Sequence, residues 1–223
     1  MFGGRLFVQE DPVAAIALIA FFLLLSFPVH EFAHAFAAYR LGDGTAKLFG
    51  RLTLNPIAHF DQVGGTMLII SVLVAGIPFG FAQTPVNPRN LRGRHGDAVV
   101  SAAGPLANLL IAAIVALPLR LLFPETAREL VVSTTEVEQI LKFIVYYSIL
   151  LGLFNLIPVP PLDGGSILLS YVSPQQAWQL RPFFAQYGFF ILIILILPLF
   201  GGESILLRVL DPIATFVFHV LVG

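Results

Sequence analysis

Long apolar runs decide what this chain can fold into. Residues 13–29, 98–123, 143–159 and 183–200 are dominated by Leu, Ile, Val, Phe and Ala, and a weaker run covers 205–222. Several approach the roughly 20 residues a helix needs to cross hydrocarbon. A soluble helix carries an apolar stripe on one face, whereas these runs are apolar all round. The chain is 57% hydrophobic and 11% charged, against roughly a quarter charged in an ordinary soluble domain, so lipid must cover the excess. The expected fold is all-α: a polytopic transmembrane helical bundle, with residues 1–223 forming a single membrane-embedded domain. The first run starts like a secretory signal but is long and lacks an obvious small-residue cleavage site, so it is expected to stay in the mature chain.

A net charge of −1, with no basic stripe and no aromatic stacking platform, excludes nucleic acid as a partner. The absence of cysteine excludes disulfides and thiolate ligands, so any metal must be held by nitrogen and oxygen.

Pro12 suits the first turn of a helix that could run to Leu41, and Pro28 inside it deletes a backbone hydrogen bond and favours a kink. Residues 47–54 alternate loosely before Asn55-Pro56, which predicts a short strand or small β-hairpin. Residues 65–82 are apolar but interrupted by Gly76, Pro78 and Gly80. Arg40, Lys47 and Arg51 mark one basic connection and Arg89, Arg92 and Arg94 another. The connection at 124–138 has only Arg128 beside Glu125, Glu129, Glu136 and Glu138. Basic loops favour the cytoplasm. Both basic connections reach that side only if 65–82 fails to cross, so a re-entrant or broken segment is expected there.

His30-Glu31-Phe-Ala-His34 is an H-E-x-x-H sequence. On a helix the i, i+4 spacing puts both imidazoles on one face, where they can share an ion, with Glu31 beside them as a base. A carboxylate inside a span costs roughly 2.5–3.5 kcal/mol on insertion scales, and such residues face the protein interior and usually carry a function. A catalytic zinc takes three protein ligands. Asp163 stands out as the third, in Asn155-Leu-Ile-Pro-Val-Pro-Pro-Leu-Asp163-Gly-Gly, where prolines and glycines must unwind the helix around a cavity. His30 lies about 27 Å along its helix from Pro12, and Asn155 about 20 Å along its own from Lys142. In the expected topology both approach the cytoplasmic leaflet. Gly104 and Asn108, four apart with Ser101 and Ala107, read as close helix packing. His59, near Asp61, reads as a group that backs a metal ligand or lines the substrate path, or else as an interfacial loop histidine, and His95 and His219 read as solvated or interfacial groups.

On His30-Glu31-Phe-Ala-His34, Gly104-Pro105-Leu-Ala-Asn108 and the Asn155 to Gly164 stretch, the chain resembles the site-2 proteases, intramembrane zinc metalloproteases of peptidase family M50. Gly50-Arg-Leu-Thr-Leu-Asn-Pro56 followed by His59 and Asp61 is similar to a short form without an inserted PDZ domain or a cystathionine-synthase-like tail. The resemblance implies that His30, His34 and Asp163 bind one Zn2+ per chain, that Glu31 is the general base, and that Asn155 helps hold the substrate or its oxyanion. The substrate would be a transmembrane protein or peptide, unwound before cutting and able to pair with the strand expected before Asn55. The setting would be a prokaryotic plasma membrane, with the site toward the cytoplasmic side. A catalytically inactive relative acting as a membrane-protein binding module keeps every one of these motifs. A transporter would also use broken helices, but no paired halves are visible.

Overall fold

The computed structural model describes residues 12–60, 62–75, 84–130, 133–197 and 204–223. Helix α1 (Pro12–Phe21) runs through a π-helical turn (Phe22–Ser26) into α2 (Phe27–Arg40). The wide turn answers Pro28, whose ring cannot donate to the preceding turn. There the Phe27 N–H reaches back five residues to the Phe22 carbonyl, so the proline is absorbed by a π-bulge instead of ending the helix.

Two single turns, α3 (Thr45–Leu48) and α4 (Pro56–His59), follow, and then α5 (Gln62–Ala75). The strand expected over 47–54 is absent; the described residues contain no strand. Asp43 is the reason. Its Oδ1 accepts from Thr45 N (3.1 Å) and Thr45 Oγ1 (2.6 Å), which starts a helical turn that Gly50, at φ +70, terminates. Burial pushes the Asp43 carboxyl up, but hydrogen bonds from Thr45, Asn90 and Asn87 outweigh it and hold the group below the ordinary carboxylate value. At 14 residues, α5 rises about 21 Å, less than the roughly 30 Å of hydrocarbon. Gly76, Pro78 and Gly80, on which the re-entrant reading rests, lie outside the described residues.

The remaining helices are α6 (Gly96–Leu122), α7 (Glu136–Asn155), α8 (Asp163–Tyr171), α9 (Pro174–Ile196) and α10 (Ile205–Val222). Five helical stretches among the described residues are long and apolar enough to cross a membrane: 16–40 and α6, α7, α9 and α10. The chain is an integral membrane protein. Its hub is α6, which packs against α2, α7, α8 and α10. Sequence sets its two faces. Leu106, Leu110, Ile114, Leu117 and Leu121, three or four apart, are exposed to lipid. Ser101, Gly104, Asn108, Ala112, Ala116 and Leu119 repeat with the same period and are buried. Small residues on that inner face let helices approach closely, the main source of packing when lipid tails are as apolar as leucine.

At the start of α7, Glu138 and Lys142 form a buried ion pair, Nζ to Oε1 2.6 Å. Glu138 also accepts from Thr126 Oγ1 and from Thr134 N and Oγ1. Lys142 donates to the Thr126 and Glu129 carbonyls at 2.7 Å each. The pair thus clamps the connection after α6 to α7. Removing one partner strands the other charge, so Lys142→Met is expected to cost about 3–5 kcal/mol, and Glu138→Leu with Lys142→Met to recover most of it. Thermal unfolding in detergent measures both; equal midpoints for Lys142→Met and wild type would remove the clamp.

Candidate metal centre and active site

After the bulge, α2 turns His30 and His34 onto α6 and Glu31 toward Thr84, and all three are buried. The two imidazole Nε2 atoms lie 3.0 Å apart. Asp163 reaches them from the first position of α8: Oδ2 is 3.1 Å from His30 Nε2 and Oδ1 is 3.3 Å from His34 Nε2. The chain gets there by unwinding after Asn155 and folding back across residues 156–162. Only glycine tolerates that return, because a Cβ on Gly164 would stand 2.3 Å from the Leu156 carbonyl oxygen.

His30, His34 and Asp163 form a group able to hold a metal ion, and two observations test the fit. Nitrogen and oxygen donors about 2.0–2.2 Å from a tetrahedral zinc stand roughly 3.3–3.6 Å from one another, close to the separations found. The hydrogen bonding agrees as well. His34 Nδ1 donates to the Val100 carbonyl at 2.7 Å, which leaves Nε2 facing the second imidazole and the carboxylate as the ring's available ligand atom. Two imidazoles and a carboxylate together are a nitrogen-and-oxygen donor set suited to a cation. The other imidazole is steered by Asn108, whose amide nitrogen lies 3.0 Å from His30 Nδ1 while its buried Oδ1 has no hydrogen-bond partner. Turning the amide over gives Oδ1 the Nδ1–H and frees His30 Nε2 for an ion, the usual arrangement behind a ligating histidine.

Gly104 lies directly beneath the pair: a Cβ there would stand 2.3 Å from His34 Nε2 and 2.6 Å from His30 Nε2. Its place in the fold is a close approach, as the sequence suggests, but the approach is to the imidazoles. Glu31 stands apart from the ligand group; its Oε2 accepts from Thr84 Oγ1 at 2.7 Å. A cavity of about 380 Å³ opens beside these groups, with Thr84, Val86, Ser101, Asn155 and Ser166 on its walls. It falls within the usual range of ligand sites. Asn155 lines it and donates one amide N–H to the Leu151 carbonyl at 3.1 Å.

The other histidines stay away from the cavity. His59 Nε2 donates to the Thr53 carbonyl at 2.6 Å, His95 stacks on Tyr171, and His219 is exposed. Asp61 lies outside the described residues. Sequence reasoning passed over the steering role of Asn108, although an amide in mid-span was a signal. It also passed over Thr84, which nothing local in the sequence marks.

A membrane-embedded helical bundle carrying an H-E-x-x-H helix, a distant aspartate within reach of both histidines and a cavity beside them defines a metallopeptidase class. The profile of Peptidase family M50 matches residues 17–199, and the chain belongs to that family. A Bacillus subtilis (strain 168) protein, provisionally named zinc metalloprotease YwhC, is 38% identical over 193 residues, which cover 86% of this chain and 85% of that one. A Mycolicibacterium smegmatis protein, provisionally named zinc metalloprotease Rip2, is 30% identical over 205 residues, 87% of this chain and 75% of its own length. Its Mycobacterium tuberculosis (strain ATCC 25618 / H37Rv) namesake is 29% identical over 182 residues, 80% and 66%. No solved structure matches the chain significantly.

Proposed function

We propose that this protein is a site-2-type intramembrane zinc endopeptidase that hydrolyses peptide bonds of membrane-spanning substrates. The observation that carries the reading is the convergence of His30, His34 and Asp163 within 3.0–3.3 Å, with the Glu31 carboxylate outside that group and held by Thr84. These three would hold one zinc per chain. Zinc in such a site acidifies a water and polarises a carbonyl. Glu31 accepts the proton of the attacking water and delivers it to the departing amide nitrogen, so the carboxylate is regenerated with each turnover. Asn155 has one amide N–H anchored on Leu151, which fixes the group and leaves the second N–H to donate to the oxyanion. The basic connections near residues 40–51 and 89–94 favour a cytoplasmic placement of the site.

A helical substrate hides its carbonyls in its own hydrogen bonds, so it must unwind before one can enter the cavity. With no strand before Asn55, strand addition to that segment has no support, and the unwinding requirement stands on the chemistry alone. Purified protein is expected to cleave a transmembrane reporter containing Gly or Pro in mid-span, to lose cleavage on removal of metal by a chelator, and to regain it with zinc. Cleavage that is indifferent to chelation would overturn the metal assignment, and a binding-only relative would show zinc without cleavage.

A further inference from the structure

Residues 84–92 pass along the C-terminal end of α2 and are tied there at several points. Asp43, fully buried, accepts from Asn87 N at 2.7 Å through Oδ2 and from Asn90 Nδ2 at 3.0 Å through Oδ1. Arg92 N donates to the Leu41 carbonyl at 2.8 Å. Both anchors belong to the chain leaving the α2 C-terminus, so this segment and the H-E-x-x-H helix are held to one another directly. Its start reaches the site: Thr84 Oγ1 lies 2.7 Å from Glu31 Oε2 and 3.1 Å from the Glu31 carbonyl oxygen. Thr84 and Val86 also line the cavity.

Given the proposed peptidase reading, we infer that Thr84 is the positioning residue for Glu31 and that the Asp43-anchored segment exists in part to deliver it. A glutamate has three rotatable bonds, and its carboxylate must face the attacking water, not an imidazole of its own helix. A hydroxyl has one hydrogen and two lone pairs. It donates to the carboxylate, and the Glu31 carbonyl is a second acceptor within its reach. One short side chain therefore faces both the backbone and the carboxylate of Glu31. β-Branching adds to the effect, since it restricts χ1 of Thr84 and fixes where the hydroxyl points.

The test compares Thr84→Val, which keeps the shape and removes the hydroxyl, with Thr84→Ser, which restores it. Thr84→Val is expected to retain its zinc and KM while kcat falls roughly 10- to 100-fold, the loss of one hydrogen bond to a charged group; Thr84→Ser is expected to recover most of it. Unchanged kcat in Thr84→Val, or a loss that Thr84→Ser fails to rescue, overturns the inference. An infrared readout separates this from the fate of the peptidase reading, because it needs no turnover. The carboxylate band lost in Glu31→Gln identifies Glu31, and that band should shift in Thr84→Val and return in Thr84→Ser. A protein without chelator-sensitive cleavage refutes the peptidase reading, and the infrared result then decides the Thr84 contact alone; a band that stays in place in Thr84→Val overturns it.

Discussion

Glu31→Gln is expected to keep its metal and lose cleavage by roughly 100- to 10,000-fold, the range over which a positioned acid–base group acts. The substitution preserves size and removes the lone pair that accepts the water proton. It leaves His30, His34 and Asp163 as they stand, because Glu31 is not part of the group they form. The amide can still accept from Thr84, so the local packing has no reason to change. Metal analysis beside single-turnover cleavage reads the two effects separately. Parallel loss of zinc and activity would make Glu31 a ligand, and wild-type turnover would remove it from the mechanism.

The fold was legible where a physical constraint acts locally. Span-length apolar runs place the long helices, and the lipid-facing Leu106, Leu110, Ile114, Leu117 and Leu121 repeat openly in the sequence. Helix ends were read less well: the run at 143–159 becomes a helix that starts at Glu136 and stops at Asn155, because Thr135 caps its start through the Glu138 N–H and the prolines after Ile157 break its end. The expected strand failed for a related reason. Loose alternation over 47–54 is a weaker signal than a buried aspartate that nucleates a turn and ties a second segment to it.

The candidate site divides in the same way. His30, Glu31 and His34 lie within one helical turn and are visible as a motif, and the proline and glycine breakers around Asp163 betray an unwound segment. What orients those groups is contributed across long separations: Val100 lies 66 residues from His34, Asn108 lies 78 from His30 and Thr84 lies 53 from Glu31. A backbone carbonyl such as that of Val100 has no sequence signature at all. Periodicity shows which face of α6 is buried but does not say that imidazoles, not leucines, lie against it.

Gly104→Ala is expected to abolish zinc binding while leaving the protein folded, and two opposed effects lead there. Alanine in a helix interior is favoured over glycine by roughly 0.5–1 kcal/mol, so α6 itself gains. The new methyl, however, would sit 2.3 Å from His34 Nε2 and 2.6 Å from His30 Nε2, inside any permissible contact. The rings cannot simply retreat, because α6 holds each by its far nitrogen: Val100, four residues before Gly104, binds His34 Nδ1, and Asn108, four residues after it, binds His30 Nδ1. Relief therefore requires breaking an orienting bond or moving α2 from α6, and either takes the Nε2 atoms away from Asp163. Loss of an orienting partner alone costs 10- to 100-fold in metal affinity at comparable sites, so displacing both rings should exceed that. Elemental analysis against Asp163→Asn, where zinc should also be lost, and thermal unfolding of both apo-proteins check the expectation. Full zinc occupancy in a folded Gly104→Ala protein would mean that the metal lies elsewhere than on the two Nε2 atoms.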